Sequence, residues 1–290
     1  MKVLTRDDWM VFTELGPFDL QRTLVSGQTF RWVRKNHGFE GVVRQTLVEI
    51  RQEGDALWAR TSPKALDQEL IEEYFCLNYP LEEALAELAK DKQLAGALQR
   101  QSGIRLLRQE PWECLVSFIL AINKSIPQIE KTIVALCDMF GRKVHAGEKT
   151  FSVFPTPQTI AAVPEEILRK TKMGFRARYL KAAAEKVVRE QIDLVPYRQK
   201  SYSEAKELLL SFYGIGPKVA DCICLFALGH QEAFPVDVWI ARAMERYYLK
   251  KKRSSLQRVQ EVARKKFGNL AGLAQQYMYH DIRSLAGRST

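Results

Sequence analysis

Apolar and polar positions change rhythm once along the chain. Over the first sixty or so residues they alternate, in segments such as Phe30–Lys35, Phe39–Gln52 and Asp55–Ser62. A period of two places one face of an extended chain on a core and the other in solvent, so these segments are predicted strands. The pairs His37-Gly38 and Gly54-Asp55 break them as turns. After Pro63 the spacing becomes three-to-four, with acids early and bases late, through Ala65–Leu77 and Leu81–Leu98. Those are amphipathic helices. From Pro111 the pattern is almost wholly helical. Pro111–Ile122 is apolar enough to lie at the centre of a core, and Ser125–Gly141 opens with a Ser cap and an early proline and stops at glycine. Phe175–Gln191, Ser203–Tyr213, Pro217–Leu228, Asp237–Leu249 and Leu270–Ala286 follow as helices, and residues 141–157 are expected to form the one long loop. The predicted class is α+β, mainly α: an antiparallel sheet domain with flanking helices at 1–105, then a helical domain at 106–290.

Composition narrows the partners more than the fold. Apolar residues make up 46% of the 290-residue chain and charged residues 27%, the balance of a globular protein. No run approaches the roughly 18 consecutive apolar residues of a membrane span, and the N-terminus lacks a signal-peptide layout. A cytoplasmic or nuclear location and a monomer are expected. With 44 Lys and Arg against 34 Asp and Glu, the formal charge is +10. That excess suits a polyanion, since basic side chains release counterions from a phosphate backbone. The cysteines, at 76, 114, 137, 222 and 224, have neither the even pairing of a disulfide framework nor the spacing of a metal site. Reduced, mostly buried thiols are expected, and no cofactor or metal.

The segment with most chemical content runs from Leu209 to Val238. A helix ends at Tyr213, Gly214-Ile215-Gly216 makes a tight turn, and Pro217 opens the next helix. Glycines permit positive φ and close backbone approach, and the helix start leaves N–H groups free for an anion such as a DNA phosphate. This resembles the helix-hairpin-helix motif of DNA-binding proteins, although the glycines alone also fit a plain helix corner. Lys218 sits in the first turn of the new helix, where the helix dipole disfavours a cation. Dipole and partial burial are expected to lower its amine pKa and supply a neutral nucleophile. A lysine contacting phosphate or solvent is the plainer alternative. Asp237, nineteen residues later in Pro235-Val236-Asp237-Val238-Trp239, reads as a helix N-cap. A helix of about 11–12 residues is roughly 17 Å long, and Gly229–Val236 can run back along it to bring Asp237 beside Lys218. A carboxylate and an amine in one cleft suit N-glycosidic cleavage. The carboxylate stabilises positive charge on the sugar, and the amine captures C1′ as a Schiff base.

This segment resembles the helix-hairpin-helix Gly/Pro…Asp superfamily of DNA glycosylases, and within it the 8-oxoguanine DNA glycosylase family. The likeness extends to Ser26-Gly27-Gln28-Thr29-Phe30-Arg31-Trp32, to Glu113 through Asn123, and to Gly174-Phe175-Arg176-Ala177-Arg178-Tyr179, and covers nearly the whole chain. It implies a bifunctional enzyme that excises 8-oxoguanine from duplex DNA and nicks the strand, with Lys218 and Asp237 as the catalytic pair. Gly27 would accept from the N7–H that only the oxidised base carries. Gln275 would read the Watson–Crick edge of the flipped base, with Tyr279 and Cys222 as its walls. Asn123 and Arg176 would contact the orphaned cytosine, Phe175 would fill the gap in the stack, and Gly214 and Gly216 would hold a phosphate. Gln128 stands where the family usually has a second arginine for the cytosine, Lys124-Ser125 replace further asparagines, and Trp239 replaces a phosphate-contacting histidine. Thymine-glycol and adenine-mismatch relatives usually carry a four-cysteine cluster, absent here. Alkylpurine relatives usually lack the hairpin lysine. A non-catalytic DNA clamp is the alternative from another class.

Overall fold

The computed structural model describes residues 1–249 and 254–287. The alternating segments form a six-stranded antiparallel sheet of β1 (Lys2–Arg6), β2 (Trp9–Thr13), β3 (Trp32–Lys35), β4 (Gly38–Val43), β5 (Thr46–Glu53) and β6 (Ala56–Ser62), in spatial order β1-β2-β6-β5-β4-β3. Helix α1 (Leu20–Val25) interrupts it, capped by Asp19, whose carboxylate accepts from the Arg22 N–H at 2.7 Å. Phe39–Gln52, which reads as one run, folds back between Val43 and Thr46 with Arg44 at φ 55°. That turn uses neither glycine, asparagine nor proline, so the sequence carries no sign of it.

Three helices follow the sheet: α2 (Gln68–Phe75), α3 (Leu81–Ala89) and α4 (Lys92–Arg100). The Leu81–Leu98 run divides where Asp91 caps α4, accepting from Gln93 N–H at 2.8 Å. The helical part continues with α5 (Pro111–Leu120) and α6 (Ile126–Phe140). The expected long loop is instead mostly a hairpin of β7 (Lys143–Ala146) and β8 (Lys149–Ser152), turning at Gly147 with φ 60°. Strands of four largely exposed residues leave too short an alternation to detect. Then come α7 (Pro157–Ala162), α8 (Glu165–Leu168), α9 (Arg176–Arg189), α10 (Tyr202–Leu210), α11 (Pro217–Ile223), α12 (Val238–Met244), α13 (Leu256–Phe267) and α14 (Ala271–Gly287).

The core has three parts. One face of the sheet packs on α1 and α2 through Phe12, Ile50, Leu57 and Phe75. Helices α5, α6, α9 and α11 share a second cluster around Leu115, Ile119 and Ile223. The third joins α3 and α4 to α12, α13 and α14 through Leu81, Leu94, Ile240 and Tyr277. The last helix is thereby locked onto an early part of the chain, and Tyr277 Oη also donates to the Ile104 carbonyl at 3.0 Å.

A polar network braces the back of α11. Asp221 is fully buried and accepts from Lys206 Nζ at 2.7 Å, Tyr202 Oη at 2.6 Å and Gln260 Nε2 at 2.6 Å. Helices α10, α11 and α13 thus converge on one carboxylate. Removing one partner of a buried ion pair strands the other charge, which costs about 3–5 kcal/mol. Asp221→Ala should lose that much in denaturant unfolding. A loss below about 1 kcal/mol, the scale of an exposed pair, would show that the network contributes little to stability.

Candidate active site

The hairpin between α10 and α11 is shaped by its glycines. Gly214 has φ 85°, and a Cβ there would stand 2.5 Å from the Tyr179 ring. Only glycine combines that backbone angle with that approach. Gly216 precedes Pro217 as the exposed N-cap of α11, with open space around it. Tyr179 meets Tyr213 edge to face at 5.1 Å, so the turn rests on an aromatic support that sequence reading did not assign. Helix α11 runs into a wider π turn at Cys224–Leu228 and ends at Gly229, φ 84°, under the Arg108 guanidinium.

The chain then returns to Asp237, as the spacing predicts. Asp237 caps α12, its Oδ1 accepting from Ile240 N–H at 2.8 Å. The cap and the electrostatic role coexist, since the same carboxylate acts on Lys218. The Lys218 ammonium lies 5.3 Å from the Phe118 ring centre, with Cys222 one turn on along the same helix. Cys222 is the largest influence holding the amine above the usual lysine value; burial opposes it, and Asp237 and Tyr279 reinforce it. The expected depression of the amine is therefore overturned. Burial acts in the expected direction, but the acidic groups facing Lys218 outweigh it. Burial pushes the Cys222 thiol up to about 11, while the Lys218 charge draws it down.

The residues expected around a base converge on the same place. Gly27 has φ 81°, and a Cβ there would stand 3.3 Å from the Tyr279 ring and 3.4 Å from Ile126. Its loop is fixed from both sides. Gln276 Nε2 donates to the Ser26 carbonyl at 3.1 Å. The fully buried Gln28 donates to the Arg105 carbonyl at 2.8 Å and accepts from Leu107 N–H at 2.9 Å. Gln275 lies one turn before Tyr279 on α14. It is buried, and its Oε1 has no partner among the described residues. A buried amide oxygen without a donor is costly unless a ligand supplies one. Arg283, one turn beyond Tyr279, donates to its hydroxyl at 3.1 Å; the i, i+4, i+8 spacing from Gln275 was the available sign of it.

A second group gathers between α5 and α9. Asn123 has φ 51°. The buried Arg176 guanidinium donates to the carbonyls of Ile122, Asn123 (3.1 Å) and Met173 (3.1 Å), so it fastens the Asn123 loop. Phe175 is exposed, under Arg176 at 4.4 Å and edge-on to Tyr179 at 5.8 Å, which links it to the hairpin. Gln128 is engaged differently from a base contact: its Oε1 accepts from Ser125 N–H at 3.1 Å in a capping box at the start of α6. Trp239 lies in the first turn of α12, with Arg242 at 5.7 Å from its ring. All five cysteines are free, and no cluster of three or more metal-ligating side chains occurs among the described residues.

Comparison with known proteins agrees with this arrangement. Residues 10–115 match the model of the 8-oxoguanine DNA glycosylase N-terminal domain, and residues 116–269 that of HhH-GPD superfamily base excision DNA repair proteins. A probable N-glycosylase/DNA lyase of Methanothermobacter thermautotrophicus is 32% identical, over 93% of this chain and 95% of its own. Among solved structures, MBOgg1 in complex with a low-affinity DNA ligand superposes with a TM-score of 0.92 at 36% identity, covering 98% of this chain and 99% of that one. The 8-oxoguanine glycosylase/lyase of Clostridium acetobutylicum, in complex with duplex DNA bearing cytosine opposite 8-oxoguanine, gives 0.91 at 32% identity and 99% coverage of both. The chain belongs to the HhH-GPD superfamily of base excision DNA repair proteins, in the branch that carries the 8-oxoguanine DNA glycosylase N-terminal domain.

Proposed function

We propose that this protein is a bifunctional DNA glycosylase that removes 8-oxoguanine from duplex DNA and then cuts the strand at the abasic site. The observation that carries the proposal is the convergence of Lys218 and Cys222 on α11, Asp237 at the N-cap of α12 and Tyr279 on α14. As the C1′–N9 bond breaks, positive charge develops on the sugar, and the Asp237 carboxylate faces it. Lys218 gives its ammonium proton to solvent and the free amine closes on C1′; a second amine proton is lost to solvent, and the C1′–O4′ bond opens with a proton to the ring oxygen, giving a Schiff base. Loss of a C2′ proton then expels the 3′ phosphate. Gly27 accepts from N7–H, the unpartnered Gln275 amide meets the Watson–Crick edge, and the base stacks between Cys222 and Tyr279. Phe175 fills the vacated stack while Asn123 and Arg176 face the orphaned cytosine. Gly214, Gly216 and the start of α11 hold a backbone phosphate, with Trp239 against the same strand.

Borohydride trapping on a duplex with one 8-oxoguanine opposite cytosine tests the chemistry. A covalent band is expected for the lesion duplex alone and is abolished in Lys218→Gln, while DNA binding persists. Tight binding with neither band nor base release would leave a DNA clamp or a glycosylase for another damaged base.

The raised Lys218 pKa fixes the sign of the pH dependence. Protonated lysine is no nucleophile, so the reactive fraction grows by about tenfold per pH unit below that pKa. Single-turnover excision should climb with pH through neutrality. A flat profile from mildly acidic to mildly alkaline pH would show that the amine is already free when DNA is bound.

Gln128 bears on opposite-base choice. A neutral amide already accepting from Ser125 N–H is a weaker cytosine selector than a guanidinium. Excision rates opposite the four bases should be comparable; strict dependence on cytosine would refute this.

A further inference from the structure

We propose that Arg283 is a further base-binding residue, whose guanidinium takes up the negative charge that the damaged purine acquires as it leaves. The inference rests on the reading of Gly27, Gln275 and Tyr279 as the base pocket. Nη1 of Arg283 is 3.1 Å from Tyr279 Oη and 3.6 Å from the point where a Gly27 Cβ would stand. The guanidinium carbon is 5.2 Å from the Tyr279 ring centre. The cation therefore sits at the junction of the two elements assigned to the base.

Its charge has no carboxylate at ion-pair distance among the described residues. The acids of that corner, seen through their action on His280 and Tyr279, are Asp19, Asp281 and Asp237, the last of which caps α12 and faces Lys218. Asp19 is paired with Arg22 at 2.6 Å and Asp281 with Arg100 at 2.8 Å. No ion pair to Arg283 exists among the described residues, and its partner is a neutral phenol. A half-buried guanidinium without a carboxylate is suited to an anion that arrives with the substrate.

The chemistry supplies one. When the C1′–N9 bond breaks, its electron pair stays with the base, which is anionic until it takes a proton from solvent. If N7–H faces the Gly27 carbonyl, the edge carrying N7–H and the C8 oxygen is the edge beside Gly27. Arg283 then stands next to the oxygen that distinguishes 8-oxoguanine and shares the departing charge. The interaction strengthens as the bond breaks, so it accelerates base loss more than it tightens binding.

The test compares two duplexes in the full-length protein under single-turnover conditions, one with 8-oxoguanine and one with a preformed abasic site. Arg283→Met should slow base release about 10- to 100-fold, the scale of a lost charge-stabilising donor. Cutting at the abasic site, which has no base to expel, should fall far less, and Arg283→Lys should recover part of the loss. Continued abasic cutting also reports that the variant is folded. Equal losses on both duplexes, with weaker DNA binding and a shallower salt dependence, would assign Arg283 to a phosphate and overturn the proposal. An unchanged rate of base release would overturn it as well. Failure of the unsubstituted protein to cut either duplex would refute the underlying function, and this role with it.

Discussion

A lysine in the first turn of a helix faces the positive end of the helix dipole, worth about 0.3–1 kcal/mol against it at an exposed site. Lys218 is also half-buried, which adds desolvation. The position is tenable because a carboxylate arrives from elsewhere in the chain. That requirement dictates much of the surrounding architecture. Asp237 must be at the start of α12, so the chain must leave the far end of α11, turn, and come back beside it. Gly229 makes the turn with a positive φ. The Asp221 network fixes α11 against α10 and α13 so that the returning segment meets it in register.

The N-terminal sheet serves the same centre at one remove. It contributes no member of the Lys218 cluster, but the loop after α1 delivers Gly27. Gln28 ties that loop to the segment leading into the helical part, and Gln276 ties it to α14. Arg31 pairs with Glu113 at 3.1 Å and donates to the Ser152 carbonyl at 2.7 Å, joining the loop, α5 and β8. The polar residues around Gly27 are thus mostly braces. The residue proposed to read the base is the one with no side chain, whose carbonyl position those braces determine.

Much of this was legible from sequence because it follows from local rules. The sheet, the long helices, the hairpin and the Asp237 cap each have a spacing or residue type that forces them. The return of Asp237 to Lys218 followed from helix length alone. What escaped was non-local or too short. The Arg44 turn and the β7–β8 hairpin lack signature residues. The sign of the amine pKa differs from expectation because it depends on how closely Cys222, one turn on, faces the amine and on Asp237 and Tyr279, which come from other helices. Arg176 reads as a solvated or DNA-facing cation, yet in the structure its guanidinium fastens the Ile122–Asn123 backbone.

Arg176 connects the two halves of the candidate interface. With its donors on three carbonyls, it cannot give the same N–H groups to a cytosine without releasing the Asn123 loop, whose φ of 51° is held from outside the residue. Base contact and loop conformation are therefore coupled through one guanidinium. Phe175, stacked on Arg176 and edge-on to Tyr179, extends that coupling to the hairpin, because Tyr179 is the surface against which Gly214 packs. The Asn123 loop and the turn at Gly214 are thus connected through three adjoining side chains, Arg176, Phe175 and Tyr179. This contiguous packing, rather than any single contact, joins the start of α11, and with it Lys218, to the Asn123 loop.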